Sequence, residues 1–193
     1  MRRTFAIAAA LTMALALTAC ASSAQDNAKT EDAETGESTT LANPWTSAET
    51  AQEAADGAGV GYFEVPEDGT EVSIGPINWY GYQYMEYLAE ADGAVGAAEL
   101  TVRKGINAER APEDVSYDGN DVSGDYTEYA FTWEMDVDDW KVTCFGNEDG
   151  KTMKAIWQSD NFSYSIMVRG QGDLYDTFGL GSDDTAAIIK AVQ

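Results

Sequence analysis

Apolar and polar residues alternate in four successive short runs between Tyr126 and Arg169, and turn-forming residues separate the runs. Alternate side chains of a β-strand point to opposite faces, so a period of two predicts strands with one buried face. We therefore predict four consecutive antiparallel strands. Their buried residues are Tyr129, Phe131, Trp133 and Met135, then Trp140, Val142 and Cys144, then Met153, Ala155 and Trp157, and finally Phe162, Tyr164, Ile166 and Val168.

The register of these strands is predicted by keeping the apolar residues on one face. One predicted cross-strand row contains Phe131, Val142, Met153 and Ile166, and a second contains Trp133, Trp140, Ala155 and Tyr164. On the polar face this register places Lys141 beside Lys154, with Thr132 and Ser165 flanking them.

The remaining chain predicts further strands and a helix at each end of the folded part. Thr46 with Glu49 has the spacing of a capping box, which predicts a helix running to about Asp56 and ending at Gly57 and Gly59. A final helix is predicted with Ser182 as its cap. Further strands are predicted at Val60–Val65, Asn78–Ala89 and Ala97–Lys104, the last with Leu100 and Val102 inward and Arg103 outward, and a loop with one helical turn at Gly170–Gly181.

The predicted fold class is therefore α+β, with an antiparallel meander sheet of about six to eight strands and the two helices packed on it. Strand alternation is weakest between Trp79 and Tyr87, where both faces carry Tyr or Met. That aromatic stretch is either core or a binding surface, and its residues alone leave both open.

The first twenty residues have the organisation of a secretory signal. Arg2 and Arg3 precede the apolar segment Phe5–Leu17, which is short for a membrane span. The run from Leu17 to Cys20 resembles a bacterial lipobox, which implies that Cys20 is diacylated and becomes the first mature residue. An ordinary cleaved signal and an uncleaved anchor are the alternatives. We predict a signal peptide at 1–19, the lipidated Cys20 with a disordered tether to residue 40, and one domain at 41–193.

The composition excludes several classes of partner and site. A net charge of −23 disfavours nucleic acid, which needs basic patches to neutralise its phosphates. The chain has no histidine, so it lacks the commonest general base and transition-metal ligand. With Cys20 lipidated, Cys144 is left as a small buried apolar residue. We expect neither a cofactor nor a bound metal.

Two groups on the polar face of the predicted sheet are candidates for ligand binding. Lys141 and Lys154, with Arg169 or Arg103 nearby, form an anion-binding site, or else the two lysines are simply solvated beside Glu134. The second group consists of Phe145, Ile156 and Met167. Large apolar side chains on such a face imply that it is covered, for which a terminal helix is the expected element, or that it binds an apolar ligand.

Several short runs also occur in a familiar order. They are Asn43-Pro44-Trp45 before an alanine-rich helix ending at Gly59, then Phe63 and Pro66, Arg103-Lys104-Gly105, Val122-Ser123-Gly124-Asp125-Tyr126, Ala155-Ile156-Trp157 and Tyr164-Ser165-Ile166. Over about Leu41 to Gln193 the chain resembles a family of bacterial lipoprotein domains of unknown function, which is related to extracytoplasmic domains of anti-sigma-factor-like membrane proteins. The resemblance implies an envelope location and no catalytic residues.

These observations together predict a lipoprotein that is anchored in the cell membrane on its extracytoplasmic side. We expect a non-enzymatic binding or sensing module whose partner is an envelope protein or a small ligand. An envelope carrier or chaperone-like protein for an apolar ligand is the alternative, and a purely structural surface protein is a third. A hydrophobic cavity of several hundred Å³ between the sheet and a helix would favour the carrier.

Overall fold

Eight antiparallel strands form one sheet, and two short helices accompany it. The computed structural model describes residues 43–66, 72–107, 109–110, 120–159 and 161–193. The strands are β1 (Thr46–Ala48), β2 (Trp79–Gln83), β3 (Leu88–Val95), β4 (Ala98–Ile106), β5 (Phe131–Val137), β6 (Trp140–Gly146), β7 (Lys154–Ser159) and β8 (Phe162–Gly170), and the helices are α1 (Ala51–Ala58) and α2 (Ser182–Lys190).

The strand order across the sheet is β1-β2-β3-β4-β8-β7-β6-β5, so the sheet consists of two four-strand halves joined where β4 pairs with β8. The prediction of an antiparallel sheet with two helices is confirmed in outline. The sheet dominates the described chain, and α+β is therefore only an approximate class for it. The chain returns from β4 to the far edge, β5, through the connection between Ile106 and Phe131.

The predicted faces within β5 to β8 are correct, but the predicted register is wrong. Two residues that were predicted to be buried are not in the core: Phe131 is 42% exposed, and Tyr129 precedes β5 and contacts Phe145 on the opposite face of the sheet. One observed row contains Trp133, Cys144, Ala155 and Ile166, and the next contains Met135, Val142, Trp157 and Tyr164. The rows differ from the predicted ones by an even number of residues, which preserves every face.

The β5–β6 turn accounts for part of this difference in register. Val137 pairs with Trp140, so only Asp138 and Asp139 form the turn, where the sequence predicted four turn residues. Asp138 adopts a φ of +51°, a left-handed conformation that Asp tolerates better than most residues. The tighter turn keeps two more residues, Asp136 and Val137, in β5.

The first helix begins four residues later than predicted. Two capping-box sequences follow each other, Thr46 with Glu49 and Thr50 with Glu53, and the second is the one used. Thr50 Oγ1 accepts a hydrogen bond from the Glu53 backbone N–H at 3.1 Å, whereas Thr46 pairs with Tyr82 in the sheet. Pairing of β1 with β2 therefore decides between two local signals of equal quality. Gly59, with a φ of +74°, ends the helix as predicted.

Four other predicted elements differ from the structure. The single strand Asn78–Ala89 is a hairpin, because the chain turns between Gln83 and Leu88, where Tyr87 has a φ of +50°. The segment Val60–Val65 forms no strand, although Glu64 exchanges backbone hydrogen bonds of 2.9 and 3.2 Å with Gln193. Helix α2 begins at Ser182, but its N-cap is Gly181. The helical turn after β8 is a 3₁₀ turn at Gly172–Leu174.

Both helices pack on the same face of the sheet and bury its apolar rows, and we call this the helix face. Leu100 and Val102 are fully buried there, as predicted, and so is Cys144. The fully buried residues also include Ala54, Ala55, Val142, Ala155, Ile166, Val168, Ile188 and Ile189.

The aromatic stretch from Trp79 to Tyr87 divides between core and surface. Tyr80, Tyr82 and Tyr87 pack against the core on the helix face. Tyr84 is exposed at the tip of the hairpin together with Met85. The core interpretation therefore applies to Tyr80, Tyr82 and Tyr87, and only Tyr84 and Met85 are left at the surface.

The signal, Cys20 and the tether lie outside the described residues, and so do Glu67, Asp68 and Gly69, which the sequence predicts to form a turn. Within the described part of the chain, neither helix has the length and apolar character needed to cross a bilayer.

Candidate functional site

The face of the sheet opposite the helices is covered by residues 120–129, which we call the crossing segment. It is joined to β7 by Lys154, whose Nζ donates to Asp121 Oδ2 at 3.0 Å and to the Asp125 carbonyl oxygen at 2.9 Å. The same ammonium group lies 4.6 Å from the centre of the Phe145 ring. Lys154 is only 5% exposed. A buried ammonium group requires such partners, because its desolvation is otherwise unfavourable.

Asp125 is the centre of the network that holds the crossing segment. Its carboxylate accepts hydrogen bonds from Thr127 Oγ1 at 2.6 Å and Tyr129 Oη at 2.5 Å, and it lies 3.3 Å from Arg169 Nη2. Burial acts to raise the pKa of Asp125, but these hydrogen bonds and the Arg169 charge outweigh it and lower the pKa. Burial, with the Asp125 carboxylate, raises the pKa of Tyr129 far above its ordinary value. Asp125 is thus a charged acceptor and Tyr129 a neutral donor at neutral pH.

Arg103 joins the crossing segment to the other half of the sheet. Its Nε pairs with Glu90, its Nη1 donates to the Ser123 carbonyl oxygen, and its guanidinium carbon lies 5.4 Å from the centre of the Trp45 ring. Burial raises the pKa of Glu90, although the Arg103 charge opposes that shift. Arg103 is therefore held on three sides.

Gly124 makes this approach possible. It has a φ of +65°, and a Cβ atom at this position would lie 2.5 Å from Arg103 Nη1. A side chain here would both strain the backbone and push the guanidinium away. Glycine is therefore favoured where the crossing segment passes over Arg103.

A pocket of about 300 Å³ lies between the sheet and the crossing segment. Arg103 and Arg169 both line it, and the Arg169 side chain is 39% exposed. The pocket is lined by Glu99, Thr101, Arg103, Met167 and Arg169 from the sheet and by Ser123 and Gly124 from the crossing segment. An exposed guanidinium group in a concave polar site can bind a carboxylate or phosphate group through paired N–H donors.

The structure brings together only some of the predicted anion-binding residues. Lys154 pairs across the sheet with Phe145 and Met167, and Lys141 pairs with Asp136, so the predicted Lys141–Lys154 neighbourhood is wrong. Lys141 forms an exposed ion pair of 2.5 Å with Asp136. The even-numbered error in register moved the two lysines apart along the strands.

Thr132 and Ser165 do not flank a lysine pair either. Thr132 lies opposite Phe145, and Ser165 lies between Arg103 and Ile156 in its row. The cations that do converge under the crossing segment are Lys154, Arg103 and Arg169, of which Arg103 and Arg169 were expected only as neighbours.

The three apolar residues predicted on this face are covered in part, but not by a helix. Phe145 contacts the Tyr129 ring at a centroid distance of 6.1 Å. Met167 is 9% exposed and lines the arginine pocket. Ile156 is half-buried and lines a separate pocket of about 440 Å³ with Lys141. The crossing segment takes the covering role that we expected of a terminal helix.

The sequence favours Asx turns at Asp121 and Asp125, but sequence reasoning missed that these residues and Ser123 hold the crossing segment on the sheet. Asp121, Ser123 and Asp125 each accept a hydrogen bond from the backbone N–H two residues further on, at 2.9, 3.1 and 3.1 Å. Side chains of Asp and Ser commonly close such turns. Acceptors at every second position, with buried Val122 between them, were the signal that could have identified this segment as ordered.

Another buried cation, Lys104, lies on the helix face. Its Nζ donates to the Tyr62 carbonyl oxygen and lies 4.4 Å and 5.1 Å from the centres of the Phe162 and Tyr164 rings. Burial lowers the pKa of Lys104 to about 8. The ion pairs found among the described residues include none with Lys104.

Comparison of the chain with protein-family models, with curated proteins and with solved structures finds no match. The resemblance to a lipoprotein domain family therefore stays a prediction from the sequence.

Proposed function

We propose that this protein is a lipid-anchored binding module on the extracytoplasmic side of a bacterial cell membrane. In this proposal Cys20 holds the protein at the membrane, and the arginine pocket binds a small ligand that carries a carboxylate or another anionic group. The role is binding and not catalysis. The proposal rests on the signal sequence for location and on the pocket for activity.

The main support for the proposed binding activity is the set of contacts made by the Arg169 guanidinium group. Its Nη2 lies 3.3 Å from Asp125, and its Nη1 donates to Tyr175 Oη at 2.9 Å. A guanidinium group has five N–H donors, so these two contacts leave others for a ligand. Asp125 and Tyr175 also fix the direction of the group before a ligand arrives, which reduces the entropy lost on binding.

Anchoring is tested by replacing each cysteine in turn in the full-length protein. The Cys20→Ser variant should leave the membrane fraction, because no acyl chain can be attached there. The control is Cys144→Ala, since Cys144 is buried in the core, and this variant should stay in the membrane fraction. Membrane retention of Cys20→Ser would contradict the anchoring proposal.

Binding is tested by titrating the isotope-labelled full-length protein in detergent micelles with sodium acetate and with inorganic phosphate. Amide signals of Gly124 and Arg169 should shift with at least one anion, and Arg169→Gln should weaken that affinity at least tenfold. Lys190→Gln is the matched control. Lys190 forms a surface ion pair of 3.0 Å with Asp138 and is not among the described residues that line the pocket. Equal affinity in wild type and Arg169→Gln would refute the pocket.

A second candidate function is the carrier of an apolar ligand. A pocket of about 400 Å³ lies beside α1, and its lining is largely apolar, with Phe63, Val65, Pro66, Pro76, Ile77 and Tyr80 beside the polar residues Thr50, Gln52 and Glu64. An apolar lining between a helix and the sheet is the feature that a carrier needs.

The carrier is tested with N-phenyl-1-naphthylamine, a dye that fluoresces in apolar sites. Ala51→Trp should fill the pocket and abolish the fluorescence increase. Asp56→Trp, at an exposed position of α1 outside the pocket, should not. Fluorescence that is equal in both variants would exclude this pocket as the dye site.

A further inference from the structure

The arginine pocket continues into a second pocket along the same face of the sheet. That pocket also has a volume of about 300 Å³, and Glu99 and Thr101 line both. Its other walls are formed by Asn78, Asp92, Gly93 and Leu100. The two pockets therefore form one groove, with guanidinium groups at one end and the carboxylates of Asp92 and Glu99 towards the other.

The charges in this groove are separated although the sheet would let them pair. Glu99 and Arg169 are directly opposite each other on β4 and β8, where opposite charges ordinarily attract across the strands. Arg169 is instead held by Asp125 and Tyr175, and none of the ion pairs among the described residues involves Glu99. Glu99 is exposed to solvent. The crossing segment thus keeps a cation and an anion apart on the floor of one groove.

The Asp92 carboxylate adds to the negative end. Its Oδ1 accepts a hydrogen bond from Thr101 Oγ1 at 2.7 Å, which fixes the carboxylate and leaves its second oxygen for another donor. Asp92 on β3 pairs with Thr101 on β4, and Glu99 lies two residues before Thr101 on the same side of β4. An ammonium group placed over Thr101 would lie between two carboxylates.

We infer that the groove binds a zwitterion, namely a free amino acid or a short peptide, with its carboxylate on Arg169 and its ammonium group between Glu99 and Asp92. This inference rests on the proposed binding function and names its ligand class. The net charge of −23 favours it over a simple anion, because a ligand with no net charge meets no long-range repulsion from the protein. Complementary charges at both ends also determine the direction in which the ligand binds.

The test uses three matched probes with full-length protein in detergent micelles. L-alanyl-L-alanine carries both charges, its N-acetyl form lacks the ammonium group, and its C-terminal amide lacks the carboxylate. We expect the free dipeptide to bind at least tenfold more tightly than either derivative, as measured by titration of the Gly124 and Thr101 amide signals. Glu99→Gln should reduce the affinity for the free dipeptide towards that of the N-acetyl form, with Asp92 retaining part of the difference, and it should not weaken N-acetyl binding.

The outcomes separate this inference from the function on which it rests. Equal affinities for the free dipeptide and its N-acetyl form, both lost in Arg169→Gln, would overturn the zwitterion and retain an anion-binding pocket. Binding of none of the probes, including acetate and phosphate, would overturn both. Because Glu99 is exposed, Glu99→Gln is expected to fold, and an unchanged circular dichroism spectrum and melting temperature verify this.

Discussion

The two faces of the sheet are covered in physically different ways. The helix face is covered by alanine and isoleucine side chains of α1 and α2, together with Val192 beyond α2, and these pack with fully buried residues such as Leu100 and Ile166. The opposite face is covered by the crossing segment, which is joined to the sheet by the ions Lys154, Arg103 and Arg169.

This difference separates stability from binding. Burial of apolar surface is favourable wherever it occurs and needs no exact geometry, so the helix face supplies the larger share of the folding free energy. Ion pairs contribute less because desolvation opposes them, but they hold particular atoms in particular directions. A face covered through ions can therefore retain a polar groove, which a face covered by packing would fill.

The largest expected effect comes from deleting the same atoms on the two faces. Ile166→Ala removes a side chain that is 0% exposed on the helix face and should lower the free energy of unfolding by about 2–5 kcal/mol. Ile156→Ala, on the neighbouring strand and the other face, should cost about 1 kcal/mol because Ile156 is only half-buried. Urea unfolding of the two variants measures the difference. Equal losses would mean that the two faces contribute alike.

The next effect concerns the lysine that joins the crossing segment to β7. Lys154→Met keeps the apolar stem but leaves Asp121 and the Asp125 carbonyl without their donor, and it should destabilise by about 2–3 kcal/mol. Lys141→Met is the matched control, since the Lys141–Asp136 pair is largely exposed and should contribute nothing measurable. Thermal unfolding of both variants tests this, and similar melting temperatures would show that the crossing segment is held by other contacts.

Lys104 extends the comparison of the two faces because it places a charged ammonium group on the apolar helix face. Its folded-state pKa of about 8 lies below the ordinary value of 10.5, so between these two values the unfolded chain binds more protons than the folded one. Stability should therefore rise with pH above about 8, by at most about 1.4 kcal/mol per pH unit. In Lys104→Met this part of the rise should be absent. Parallel pH profiles of the free energy of unfolding for the two proteins would contradict the buried ammonium group.

The smallest expected effect is the difference in stability between two glycine-to-alanine variants. It separates the cost of a left-handed backbone from the cost of the close contact with Arg103. Gly124 and Gly150 have φ values of +65° and +69°, but a Cβ at Gly124 meets Arg103 whereas one at Gly150 meets nothing within 4 Å. Both alanine variants should lose about 1 kcal/mol for the left-handed backbone. Gly124→Ala should lose about 1 kcal/mol more and should also weaken acetate binding. Equal urea midpoints for the two variants would show that the Arg103 guanidinium group moves aside without a measurable loss of stability.

Much of the helix face could be predicted from the residue order, while much of the opposite face could not. Alternation identified the inward residues of β5 to β8 and of β4, because each side of a strand is read directly from a period of two. It did not give the register, because a shift by any even number of residues keeps all faces, and the turns between the strands decide that shift. For that reason the predicted Lys141–Lys154 pair was wrong, although both lysines lie on the predicted face.

The arginine pocket shows the same limit at longer range. Arg103 and Arg169 lie on β4 and β8, which pair only because the two halves of the sheet meet there. Asp125 reaches Arg169, and Asp121 reaches Lys154, through contacts between residues that are far apart in the chain. The turn bonds of Asp121, Ser123 and Asp125 are local and could have been predicted, but their place above the arginines could not.

The sequence by itself determined which residues share a face, where glycine ends the first helix, and the signal that predicts a lipid anchor at Cys20, since each depends on neighbours within a few positions. Only the tertiary structure decided which of two capping boxes is used, how the strands are aligned, and which cations meet under the crossing segment. These choices depend on pairings between residues far apart in the chain, whose free energy appears only when the whole sheet has formed.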